Sequence, residues 1–209
     1  LLIAVAGLEL AACARTPPPA VIAPPPAPPP PRLQRYTGAG FFIDTPLGWA
    51  VKTDYDYEDV APGKEIHGVS FTIPAQVAAG TNLAPDSYIA VETLPGLRTC
   101  AAAPFLSDPD ALPPVTEDGF VFSVAKASQG AAGNVFEETV FAAAGTRPCI
   151  AVRYFIHSLS IGNFDPGAVK PFDRAALVAQ FDSIRKSLRL APAGAGSAPG
   201  TAPLREDRP

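Results

Sequence analysis

The 209-residue chain contains no methionine, only two histidines, three cysteines and one tryptophan. Two histidines, His67 and His157, cannot supply a zinc site of ordinary ligand spacing. Lysine and arginine together number 16 against 20 acidic residues, and they are scattered rather than gathered into a stripe, which argues against a nucleic-acid partner. No Gly-x-Ser-x-Gly elbow of the serine-hydrolase kind occurs. With Leu1 at the start, an initiator methionine is expected to precede the sequence, and the basic region of a signal peptide with it.

Proline, by contrast, is plentiful: 26 residues, crowded toward the two ends. The chain opens with an apolar segment, LLIAVAGLELAA, far short of the roughly 20 residues needed to span a bilayer. Its end, Leu10-Ala11-Ala12-Cys13, reads as a bacterial lipobox: small residues give the peptidase access, and Cys13 is the residue to be acylated. From Thr16 to Pro31 the sequence is almost wholly proline and alanine. Such a run forms no helix or sheet ladder and settles into polyproline II, a semi-rigid stalk reaching roughly 45 Å at about 3.1 Å per residue. The expected organisation is a truncated lipoprotein signal peptide over 1–12, lipidated Cys13 and stalk over 13–35, a folded domain over 36–190, and a tail over 191–209 that is disordered by composition.

Within the folded part, Val69, Phe71 and Ile73 alternate with polar residues at the period of a half-buried strand, and Tyr88 to Thr93 reads as another strand. A short helix is expected around Cys100 to Leu106, followed by a proline-broken loop from Ser107 to Pro114. Strands over 120–127, 135–142 and 149–157, separated by Gly-rich turns, make a β-meander. Asp173 is a good N-cap, and Leu177, Phe181, Ile184 and Leu188 then recur at helical spacing, with Arg185, Lys186 and Arg189 toward the end, where cations suit the helix dipole. The fold class expected is α+β: one antiparallel meander sheet packed with a long C-terminal amphipathic helix.

The segment Phe42-Ile43-Asp44-Thr45-Pro46-Leu47-Gly48-Trp49, the meander and the closing Phe181-Asp182-Ser183-Ile184-Arg185-Lys186-Ser187-Leu188 together resemble PsbP-like domains, over about residues 36 to 190. The resemblance implies an antiparallel sheet packed with helices, and it implies no catalytic residues.

With Cys13 assigned to lipid, Cys100 and Cys149 remain, and in an oxidising envelope compartment such a pair is expected to bridge. Asp54, Asp56, Glu58 and Asp59 form an acidic stretch read as a solvated loop, since Asp59 stands where an EF-hand requires glycine. If the last hairpin turns near Gly145, Glu138 lies opposite Arg153 as a cross-strand ion pair. Arg153 shares its strand face with Cys149, Phe155 and His157, a mixed face that is either covered by loops or lines a shallow pocket. The functional expectation is a non-catalytic, lipid-anchored envelope protein that binds or scaffolds, with no cofactor and with a membrane and an envelope protein as partners. Ala14, in place of an inner-membrane retention aspartate, favours the outer membrane, facing the periplasm. The alternative is an envelope hydrolase built around His157 with a distant serine and aspartate.

Overall fold

The computed structural model describes residues 32–191. The lipobox with Cys13, most of the proline stalk and the tail from residue 192 lie outside the described residues. Ten strands and two α-helices follow in order: β1 (Leu33–Gly38), β2 (Phe41–Pro46), β3 (Ala50–Ala61), β4 (Lys64–Thr72), α1 (Ala75–Ala78), β5 (Tyr88–Leu94), β6 (Asp110–Glu117), β7 (Phe120–Ala131), β8 (Asn134–Ala143), β9 (Cys149–Leu159), α2 (Arg174–Lys186) and β10 (Arg189–Leu190). Seven strands form one antiparallel sheet in the order β3-β4-β5-β9-β8-β7-β6, and β1, β2 and β10 form a second, three-stranded sheet.

The fold is therefore mainly β, and the expected α+β class is corrected. Strand accounts for 54% of the described residues and helix for 14%, and α2 is the one helix of seven residues or more. The long C-terminal helix was over-read because its apolar spacing continues to Leu188, whereas the helix ends at Lys186 and the chain turns back at once into β10. Other segments shift the same way. The acidic stretch is the outer part of β3, the Ser107–Pro114 loop gives way to β6, and the helix around Cys100 shrinks to a single 3-10 turn, Ala103–Phe105. Charged and proline-bearing segments score poorly for strand, yet both these strands lie at sheet edges, where such residues are tolerated and blunt edge-to-edge pairing.

Helix α2 covers one face of the large sheet. The Asp173 carboxylate caps it by accepting from the Ala176 N–H at 2.9 Å. Leu177, Phe181, Ile184 and Leu188 join a buried cluster with Val69, Phe71, Ile89, Val91, Val152 and Tyr154 of the large sheet and with Phe41 and Ile43 of the small one. Trp49 packs edge-on against Phe181, ring centroids 5.9 Å apart. Along β9, alternation sends Ile150, Val152, Tyr154 and Ile156 into this core and turns Cys149, Ala151, Arg153, Phe155 and His157 to the other side.

The opposite face is floored by small residues, Ala90, Ala125, Ala127, Ala142 and Ala151, which let other parts of the chain come close. Tyr55 and Tyr57 of β3 curl over it, and Ala102, Phe105 and Leu106 of the β5–β6 connection lie against it. That connection is stapled to the start of β9 by the Cys100–Cys149 disulfide, with Cα atoms 4.9 Å apart. Removing the bridge by Cys100→Ala with Cys149→Ala should cost about 2–5 kcal/mol. Urea denaturation followed by the fluorescence of Trp49, the sole tryptophan, checks it; an unchanged midpoint would show that the staple contributes nothing.

Candidate functional site

Arg153 lies at the centre of the second face, fully buried between two glutamates. Its Nε donates to Glu92 Oε1 at 2.6 Å, Nη2 donates to Glu92 Oε2 at 3.1 Å and to the Phe105 carbonyl at 2.7 Å, and Nη1 donates to Glu138 Oε2. The guanidinium also sits 3.6 Å from the centre of the Tyr57 ring. The tyrosines complete the shell: Tyr55 donates to Glu92 Oε1 and Tyr57 to Glu138 Oε1, each at 2.8 Å, and the Tyr55 and Tyr88 hydroxyls meet at 3.0 Å. Such a cluster is tolerable in an apolar interior only because its polar atoms find partners. Among the described residues, the one buried side-chain polar atom without a partner is Thr45 Oγ1, remote from this cluster in the small sheet.

Two carboxylates share one cation here. Burial pushes the Glu92 carboxyl above its usual range, against the pull of the Arg153 guanidinium, while the two carboxylates hold the guanidinium charged. Burial likewise raises the Tyr55, Tyr57 and Tyr88 phenols, so they act as hydroxyl donors and not as phenolates. The register explains how Glu138 arrives: it pairs with Phe155, and Val140 pairs with Arg153, so Glu138 reaches Arg153 diagonally and not from directly opposite. Gly68 stands opposite Glu92 on β4, where a Cβ would lie 2.3 Å from the Val91 carbonyl oxygen. Only glycine fits there.

Farther along β9 the same face opens. Beside the cluster is a cleft of about 420 Å³ lined by Tyr57, Asp59, Ser107, Gln129, Phe136, Glu138 and Phe155. Its aromatic floor belongs to a row running across the sheet. Tyr88 stacks on Phe155 with centroids 4.7 Å apart, Phe155 lies 6.0 Å from Phe136, and Phe136 stacks on His157 at 4.4 Å. The mixed face is thus covered at Arg153 and opens into a cleft at Phe136 and Phe155.

The remaining charged groups have structural surroundings. His157 Nδ1 faces the Asp86 carboxylate at 2.8 Å, and Nε2 faces the Asn134 side-chain oxygen at 2.8 Å. A hydrolytic triad would put a serine hydroxyl at that second nitrogen. Ser87, the neighbouring serine, instead bonds the main-chain N–H and carbonyl of His157. Asp56 of the acidic stretch pairs with exposed His67, which raises the His67 pKa. Among the described residues, no group of three or more His, Cys, Asp or Glu side chains could hold a metal ion. No helix among them is long and apolar enough to cross a membrane. Neither a family model nor a curated protein sequence matches this chain.

Sequence reasoning singled out Glu138, Arg153 and His157 but missed Glu92, Tyr55 and Tyr57. The signal for Glu92 was its position as the one charge in the apolar run Tyr88–Leu94, the counterpart of Arg153 in Cys149–Leu159. Arg185, expected only to suit the helix dipole, is in addition buried 4.3 Å from the centre of the Phe141 ring and donates to Glu117 at 2.5 Å and to the Tyr154 hydroxyl at 2.8 Å.

Replacing Arg153 by Met strands two buried carboxylates and should cost about 3–5 kcal/mol at neutral pH. A carboxyl whose pKa is higher folded than unfolded contributes stability that is complete below the unfolded value and is lost as pH rises through the folded one. Glu92 is such a group, so Glu92→Gln should cost more at pH 4 than at pH 7. Asp44 and Glu117, whose carboxyls are held low by arginine and lysine partners, act in the opposite sense and cancel in the comparison of variant with parent. Urea midpoints across that pH range check both variants; a Glu92→Gln penalty that grows toward neutral pH would refute the assignment.

Proposed function

We propose that this protein is a lipid-anchored binding module of a bacterial cell envelope, acylated at Cys13 and held off the membrane by its proline stalk. In this reading the folded domain works by binding through the open cleft of the large sheet, and it performs no chemistry. The observation that carries the compartment is the Cys100–Cys149 bridge, because a structural disulfide persists in oxidising compartments and not in the cytosol. It agrees with the destination that Leu10-Ala11-Ala12-Cys13 specifies, and Ala14 favours the outer membrane, facing the periplasm. Binding without catalysis is supported by the side chains themselves: the Arg153 cluster spends its donors and acceptors internally, and the His157 ring meets an amide where a nucleophile would stand.

The test is fractionation of cells that make the chain from its complete gene, with a labelled fatty acid in the medium. The parent protein should carry the label and sediment with membranes, and Cys13→Ser should lose the label and appear in the soluble fraction. A Cys13→Ser protein that stays with the membrane would overturn the anchor.

A further inference from the structure

The cleft beside the Arg153 cluster has an uncommon lining: aromatic rings, two carboxylates and no basic side chain. Phe136 and Phe155 tilt toward each other at 38° with centroids 6.0 Å apart. His157 stacks on the first and Tyr88 on the second, and both phenylalanines line the cleft. Glu138, only 4% exposed, is fixed at the base by the Tyr57 hydroxyl and Arg153, and Asp59 stands exposed at the rim. The guanidinium that balances Glu138 is wholly buried and shared with Glu92, so it is no part of the cleft lining and carries less than one full charge for each carboxylate it serves. The aromatic shell already holds one cation from the inside, Arg153 against Tyr57.

We infer that this cleft binds an organic ammonium group, primary or quaternary, seated against the Phe136 and Phe155 rings with the exposed Asp59 carboxylate balancing its charge. Ring faces attract such cations through their quadrupole, and more strongly where water is excluded. A neutral ligand of the same shape would gain only apolar contact, and an anion would meet two carboxylates. The inference rests on the reading of the cleft as a binding site, and it is independent of the lipid anchor. The ammonium group can come from a free small amine or from a phospholipid headgroup, and the chemistry of the cleft is the same for both.

The test is calorimetric titration of the full chain in a maltoside detergent with choline chloride, against sodium chloride at equal ionic strength and against 3,3-dimethyl-1-butanol, the neutral isostere of choline. Choline should bind saturably and the isostere at least about fivefold more weakly, with Phe136→Leu weakening choline by about fivefold to tenfold. Asp59→Asn, a nearly isosteric change at an exposed position, should weaken choline about twofold to fivefold and leave the isostere unaffected. If phosphatidylcholine in mixed micelles with the same detergent competes with free choline, the headgroup is a source; if it does not, the ligand is a free amine. Absence of saturable choline binding, equal binding of the isostere, or indifference to both substitutions would overturn the inference. Because the titration does not depend on where the protein resides, its failure would leave the envelope assignment to be judged by fractionation alone.

Discussion

A guanidinium with no exposed surface, shared between two carboxylates, is the constraint on which the second face of this fold depends. Taking three charges out of water costs several kcal/mol per ion, and the cost is recovered only when each is met with good geometry. Arg153 meets that condition by drawing in partners from distant parts of the chain: Glu92 from β5, Glu138 from β8, the Tyr57 ring from β3 and the Phe105 carbonyl from the stapled connection. Each of these segments is thereby fixed in register. The disulfide secures the connection at one end, and Arg153 holds Phe105 at the other.

The consequence is an asymmetric domain. One face of the large sheet has an ordinary apolar core under α2 and the small sheet, where Tyr154 and Arg185 make a second, less deeply buried polar contact with Glu117 and Asp182. The other face is closed by β3 and the stapled connection as far as Tyr57 and Ser107, and beyond them the cleft at Phe136 and Phe155 is left open. The cleft therefore owes its shape to the place where the cover stops. The fixed carboxylate of Glu138 serves both parts, bracing Tyr57 on the inside and lining the cleft on the outside.

Strands read from alternation were legible in the sequence, because Val69, Phe71, Ile73 and the β9 residues follow a period of two against a one-sided core. The Asp173 cap and the apolar spacing of α2 were legible for the same local reason. The edges were not. β3 carries Asp54, Asp56, Glu58 and Asp59, and β6 carries Pro113 and Pro114, so local composition argued for loops while pairing with β4 and β7 decided otherwise. Reading those edges as loops, and carrying α2 to Leu188, tilted the expected class toward α+β. Arg153 and Glu138 could be placed on neighbouring strands from turn positions alone. Glu92 reaches them through the pairing of β5 with β9, a long-range neighbour relation that no local pattern encodes.

If Arg153 organises the second face, its forked, planar geometry matters as well as its charge, because lysine cannot satisfy Glu92, Glu138 and the Phe105 carbonyl together. Amide hydrogen exchange of Arg153→Lys against the parent protein tests this most directly. The expected result is faster exchange confined to Tyr55–Tyr57 and residues 100–107, with the amides of α2 and the β9 core unchanged. Exchange that is unaltered everywhere, or accelerated equally across both faces, would contradict the account.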